Sequence, residues 1–216
     1  MHHLLEEFIA GMKATTLLEY IAVFAGIISV WLSKNEKVLL YPIGLVNTII
    51  YIYLSFKMHL IGEASVNFYY TVVSIYGWYL WSRKDAQHHV LLHITVASKK
   101  EWMQHLLFFT GFYIVIFISL RFLKPYFSGA IPWADAFASA TAYTGMWLMA
   151  KKKLENWLWW ICTNMASIPL YFVKGLVFTS VYYIILLGLA IIGWVEWKYK
   201  RMPLQNAATF AIEHEE

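Results

Sequence analysis

Charge is what this sequence has least of. Asp, Glu, Lys and Arg make up 14% of its 216 residues, where a soluble domain carries about a quarter, so the chain lacks the means to cover a fully water-exposed surface. Cysteine is rarer still: Cys162 stands alone in an apolar run, which excludes an internal disulfide. With no histidine in its span to activate it, the thiol also lacks the partner a nucleophilic enzyme needs. No GxxxxGK[ST] phosphate loop occurs, which excludes ATP hydrolysis by that route. Segment 177–197 holds no lysine, so a seven-helix photoreceptor with retinal on its last span is set aside. The net charge of +4 comes with no basic groove or recognition fingerprint for nucleic acid. At the N-terminus, MHHLLEEFIAGMK carries acids where a signal peptide needs positive charge. We read residues 1–14 as a short amphipathic lead-in, with the first span acting as the insertion signal.

What is abundant is apolar surface, 60% of residues with a mean hydropathy of +0.55, and that composition predicts an all-α integral membrane protein. Apolar runs bounded by charge predict seven transmembrane helices, at 17–32, 38–56, 64–81, 105–122, 131–150, 156–173 and 177–197. Tryptophan and tyrosine gather near the ends of these runs, as interfacial aromatics do. Twelve of the 17 basic residues fall after spans 1, 3, 5 and 7, against five on the other side. The asymmetry predicts an outside N-terminus and a cytoplasmic C-terminus.

Shifting the chain by 116 residues matches Glu19 with Asp135, Trp31 with Trp147, Lys37 with Lys153, Gly77 with Gly193, Trp78 with Trp194 and Trp81 with Trp197. Tryptophan is rare enough that three matches at one offset indicate duplication. We therefore expect a three-helix repeat at 15–82, a cytoplasmic loop and linker helix at 83–130, a second repeat at 131–201 and a cytoplasmic tail at 202–216. Parallel repeats of this kind place a substrate near the midplane between the halves.

That expectation selects polar residues inside the spans. With one residue of slack, Asn47 meets Asn164, each near the centre of the second helix of its repeat. An isolated membrane asparagine is ordinarily helix–helix glue contributing about 0.6 kcal/mol; two at matched positions point to a pathway. Trp160, Asn164 and Ser167 lie along one stripe of span 6, with Trp157 a turn below Trp160. Such a stripe can stack a flat ring, bond its substituents and hold a cation on a π face. An interfacial belt explains Trp157 and Trp159 better than it explains Trp160. Pro169 permits a kink in the same span. Glu63 and Asn67 open span 3 at i and i+4, while Glu19 and Asp135 sit close enough to span ends to be helix N-terminal anchors. His89 and His93 in the 83–102 segment have metal-compatible spacing if helical, but the local alternation fits a solvated linker, and no metal or other cofactor is expected.

The runs NFYYTVVSIYGWYLW (67–81) and WLWWICTNMASIPLYFVKGLVFTSVYYIILLGLAIIGWVEW (157–197) resemble the PnuC family of bacterial vitamin transporters. The motifs that carry the likeness are YGWxxW ending at Trp81, WxxWxxxN of Trp157, Trp160 and Asn164, and LYxxKGLxxT from Leu170 to Thr179. The resemblance implies a SWEET-like 3+1+3 helix fold, a homotrimer in the inner membrane, and facilitated diffusion of an unphosphorylated B vitamin that a cytosolic kinase then traps. It points first to nicotinamide riboside and next to thiamine; riboflavin, neutral and larger, ranks behind both. Position 67 departs from the nicotinamide riboside branch, where glutamine is expected and Asn67 is one methylene shorter. The substrate-binding residues expected are thus Asn164, Trp160, Asn47, Asn67, Trp157, Ser167 and Glu63.

Overall fold

The computed structural model describes residues 2–57, 61–123, 125 and 130–213, with the side chains of 2–5, 7, 14, 61–63 and 202–213 outside the description. It contains eight helices among them: α1 (His2–Ala14), α2 (Leu17–Lys34), α3 (Leu40–Lys57), α4 (Ile61–Ser82), α5 (Lys99–Leu123), α6 (Pro132–Ala150), α7 (Asn156–Val173) and α8 (Val177–Glu213). The seven apolar runs fall on α2 to α8. Among the described residues, α2, α3, α5 and α8 are both long and apolar enough to cross a membrane by composition alone. The physical reason is visible in α6, where buried Ala136, Ala138, Ala140, Thr141, Thr144 and Gly145 face protein. A helix shielded by its neighbours does not need a lipid-compatible surface all round.

Helix ends follow from local chemistry. Thr16 caps α2 in a capping box: its Oγ1 accepts from the Glu19 N–H at 3.3 Å, and the Glu19 carboxylate accepts from the Thr16 N–H at 2.6 Å. At the repeat-related start of α6, Pro132 fills the first turn and Asp135 accepts from the Ile131 N–H at 2.7 Å. Both acids therefore anchor helix N-termini. The C-termini of α2 and α6 match as closely. In each, a non-glycine residue takes a positive φ, Glu36 at 55° and Lys152 at 51°. The next N–H, of Lys37 or Lys153, returns 3.0 Å to the carbonyl of Leu32 or Leu148.

The repeat is structural as well as sequential. Helices α3 and α7 begin and end 116 residues apart, α4 and α8 begin 116 apart, and α2 and α6 end 116 apart. Contacts run α2–α3–α4–α6–α7–α8 and back to α2, closing a six-helix ring, while α5 packs outside on α6 and α1 outside on α8. The two contacts that join the repeats, α2 with α8 and α4 with α6, exchange under the 116-residue shift, so the ring has a pseudo-twofold axis through its centre. The lead-in docks rather than trailing: Phe8 meets Phe178 at 5.8 Å and the Tyr20 hydroxyl donates to the Met12 carbonyl at 2.8 Å. At the other terminus α8 continues to Glu213, so position 201 is no break in the helix.

One end of the ring is plugged by aromatics. Tyr41 meets Trp81 edge-on at 5.4 Å and 89°, and their repeat mates Trp157 and Trp197 meet at 5.4 Å and 88°. Trp81 and Trp197 touch across the axis at 6.1 Å. Each indole of that central pair bonds the opposite repeat: Trp81 Nε1 donates to the Ala150 carbonyl at 3.2 Å, and Trp197 Nε1 to the Lys34 carbonyl at 3.1 Å. The glycines at the matched positions make room, because a Cβ on Gly77 would collide with Tyr41, and one on Gly193 would lie 2.5 Å from the Trp157 ring. The 83–98 segment, expected to be a solvated linker, also joins this end. Thr95 pairs with Lys153 in a parallel bridge, Ile94 enters the core cluster, and the Ala97 N–H donates to Glu155 at 2.8 Å. Apolar side chains alternating with polar ones let it lie along the α6–α7 turn.

Candidate substrate site between the repeats

Above the plug, the ring interior is lined by neutral residues. Segments 38–56, 64–82, 136–150 and 156–173 contain no charged side chain, so any recognition there rests on aromatic faces, hydroxyls, amides and backbone dipoles. Trp160 projects from α7 against Gly145, where an added Cβ would approach the indole to 3.2 Å. The repeat mate of Trp160 is Gly44, so the large ring occupies one half only. Tyr70 lies 6.3 Å from Trp160 and 6.2 Å from Tyr143, and Tyr69 lies 4.4 Å from Tyr143, with its hydroxyl donating to the Tyr143 carbonyl at 3.1 Å. From α8, Tyr183 stacks on Tyr171 at 5.1 Å and touches Tyr182 at 5.6 Å. Gly26 admits both the Tyr182 hydroxyl and the Asn47 amide, which would lie 2.6 and 3.0 Å from a Cβ there.

Asn164 is 3% exposed, and among the described residues no hydrogen bond engages its carboxamide. Its neighbour Thr163 is fully used, donating to the Trp159 carbonyl at 2.9 Å and meeting the Thr141 hydroxyl at 3.0 Å. The matched helix ends fix the register without slack, so the mate of Asn164 is Thr48, and the mate of Asn47 is Thr163. Asn47 does what Thr163 does: its Nδ2 donates to the Ala22 carbonyl at 2.7 Å, tying the second helix of the repeat to the first. Thr48 is satisfied by Thr71 of α4 at 2.9 Å. The position matching Thr71 is Leu187, which offers Asn164 no partner. The pairing of Asn47 with Asn164 is thus corrected by one residue.

The other expected site residues separate into groups. Ser167, 2% exposed, lies one turn from Asn164, and its mate is Tyr51. Asn67 is partly buried on α4, its carbonyl accepting from Thr71 at 2.9 Å, and its mate is Tyr183. Trp157 is elsewhere: it is wholly buried in the plug against Trp197 and Gly193, and a face so covered is closed to a ligand. Trp159 is also buried, 5.3 Å from Phe109 of α5, so neither indole belongs to an interfacial belt. The Glu63 side chain lies outside the described residues. Asp135, besides its capping bond, binds Lys174 at 2.6 Å and ties α6 to the end of α7. Cys162 is exposed on the outer side of α7. Among the described residues no cluster with metal-binding composition occurs; His89 pairs with Asp85 at 3.3 Å.

Sequence reasoning passed over the tyrosines. The doublets Tyr69–Tyr70 and Tyr182–Tyr183 sit inside their apolar runs rather than at the ends, which is where an interfacial reading of tyrosine fails.

The sequence profile of the nicotinamide mononucleotide transporter family matches residues 16–199. The chain belongs to this family. Members similar to it include the nicotinamide riboside transporter PnuC of Escherichia coli (strain K12), 25% identical over 209 residues and 87% of each chain. The riboflavin/roseoflavin transporter RibM of Streptomyces davaonensis is 25% identical over 176 residues and 80% of each chain. The fold matches the crystal structure of the vitamin B3 transporter PnuC, with a TM-score of 0.67, 20% identity, and coverage of 91% of this chain and 88% of that one. The PnuC resemblance is therefore correct. This member of the family is a multi-pass membrane transporter and not an enzyme.

Proposed function

We propose that the chain carries an unphosphorylated, flat, cationic vitamin of the nicotinamide riboside type across the bacterial inner membrane by facilitated diffusion, with α2 to α8 as its seven spans in a 3+1+3 arrangement. In this reading the N-terminus is outside, the C-terminus cytoplasmic and the assembly a homotrimer. The repeats rock about the central axis for alternating access, and cytosolic phosphorylation retains the product. One observation supports the reading: Asn164, 3% exposed, makes no side-chain hydrogen bond among the described residues and lies one turn from Trp160 inside a charge-free aromatic ring. An amide with no protein partner is free to bond a substrate amide or hydroxyl, a bond with a net value of about 0.5–1.5 kcal/mol. The Trp160, Tyr70 and Tyr143 rings supply π faces for a pyridinium, while Ser167 and Asn67 line the same interior. Asn47, already bonded to α2, serves mainly as scaffold, and Glu63 stays a candidate at the mouth of α4.

Thiamine is the second reading, supported by Asn67: the shorter amide leaves room for a different ring, and a thiazolium suits the same aromatic faces. Riboflavin, named in the relative that is 25% identical over 176 residues, is the third arm of the test. Titrating reconstituted protein with the three vitamins while following tryptophan fluorescence ranks them. Nicotinamide riboside binding most tightly, with saturable counterflow in proteoliposomes, is the expected result; absence of counterflow for any B vitamin overturns the proposal.

A further inference from the structure

The two seams that join the repeats are unequal at the plugged end. Along α2 and α8, Lys34 Nζ pairs with Glu196 at 2.7 Å, while Lys200 Nζ lies 3.6 Å from the Glu36 carboxylate and donates to the Lys34 carbonyl at 3.0 Å. The Lys34 side chain is 13% exposed and that of Glu196 32%, so water and salt screen their pair only in part. The 116-residue shift carries these positions onto the other seam, between α4 and α6, and the charge pattern is lost. Lys34 and Glu196 become Ala150 and Leu80, an apolar pair, and Glu36 and Lys200 become Lys152 and Lys84, two cations. Among the described residues no ion pair joins α4 to α6. That seam is held at this end by the Trp81 bond to the Ala150 carbonyl and by the Tyr76 ring stacked on Trp147.

The contacts across the axis lie between these seams. Lys152 holds Glu36 at 3.1 Å and covers Trp81 at 4.6 Å. Because Glu36 also has Lys200 beside it, departure of Lys152 does not strand the carboxylate without a cation. The 83–98 segment tolerates separation of α4 from α6. Its first part is bonded back to the end of α4, the Leu91 N–H donating to the Arg83 carbonyl at 3.2 Å, and its last part to the α6–α7 turn, the Thr95 N–H donating to the Lys152 carbonyl at 3.1 Å. Residues 92 and 93 between them make no backbone hydrogen bond among the described residues.

We propose that the plugged end opens on one side only: α4 parts from α6, while Lys34, Glu36, Glu196 and Lys200 keep α2 on α8 as the hinge. Resting on the alternating-access reading above, this sets where the repeats pivot at that end and sends the substrate past Trp81 rather than past Trp197.

Repeat-related positions supply a matched test in full-length, reconstituted protein carrying Cys162→Ala. Arg83→Cys with Lys151→Cys spans the α4–α6 seam, and their mates, Tyr199→Cys with Asn35→Cys, span the α2–α8 seam; none of the four positions is buried. Spin labels on these pairs are expected to give two distances for the first and one for the second. Lys34→Ala with Lys200→Ala adds a second distance to the α2–α8 pair, and Lys34→Arg with Lys200→Arg does not. Bridging the first pair with a short bifunctional thiol reagent cuts nicotinamide riboside counterflow by about tenfold or more, because it blocks a required opening, whereas bridging the second leaves counterflow near that of the unbridged protein. Equal distance distributions in the two pairs, or two distances confined to the α2–α8 pair, overturn the proposal. A single α2–α8 distance that survives the double alanine change overturns it as well, as does loss of counterflow on bridging the second pair. If the unbridged protein shows no counterflow at all, the transport reading falls and the distances alone decide the seam.

Discussion

At the level of single residues, two asparagines that read alike in the sequence do different work. Asn164→Ala is expected to weaken vitamin binding by roughly 0.5–1.5 kcal/mol, the net value of one neutral hydrogen bond, with thermal stability nearly unchanged. Asn47→Ala removes the bond to Ala22, so it should lower stability by about 1 kcal/mol and leave affinity close to that of the parent. Measuring affinity and melting temperature for both variants separates the roles, and the opposite pattern reverses the assignment. Gly193→Ala drives a methyl to 2.5 Å from the Trp157 ring, an overpacking expected to cost about 1–3 kcal/mol in stability. An unchanged melting temperature would mean the plug is looser than its geometry. Cys162→Ala, outside the ring, should leave counterflow intact.

The ends of α2 and α6 show what whole elements demand. Glu36 and Lys152 take positive φ at repeat-related positions, where L-residues incur about 1–2 kcal/mol each. Their side chains meet across the axis at 3.1 Å, the Lys152 ammonium lying 4.6 Å over Trp81 with only 5% of its side chain exposed. Glu36→Gln leaves that ammonium buried without its partner and is expected to destabilise by roughly 3 kcal/mol. In a double-mutant cycle, Glu36→Ala with Lys152→Ala should cost less than the two single changes added together; strict additivity would show that the pair is incidental. Helix boundaries were legible because capping acids, prolines and charge clusters act locally: seven apolar runs correspond to α2–α8, with α5 beginning at Lys99 ahead of its run. The 83–98 segment was not, since its order comes from bonds to Lys152, Lys153 and Glu155 more than 50 positions away.

For the whole molecule, the pseudo-twofold ring closes at one end through the paired indole bonds of Trp81 and Trp197. Trp81→Phe combined with Trp197→Phe keeps the aromatic bulk and removes both donors, so it should shift the population toward a state open at that end. In a Cys162→Ala background, Asn164→Cys then reports access: a water-soluble maleimide applied from the C-terminal side should label it faster when both indoles are replaced. Equal labelling rates would show that the plug does not gate the site.

The sequence by itself determined the membrane class, the positions of the helices and the 116-residue duplication, because hydropathy, capping and rare tryptophans leave their mark wherever they stand. It also carried the family, through motifs spread along the chain. Only the tertiary structure decided that Trp157 is plug and Trp160 is wall, that Thr48 and not Asn47 matches Asn164, and that tyrosines from α4, α6 and α8 share one interior. A side chain's chemistry is written in its own position, but whether its hydrogen-bonding atoms are satisfied depends on what the opposite helix presents. At the α8 position that matches the Thr71 partner of Thr48, the chain has a leucine.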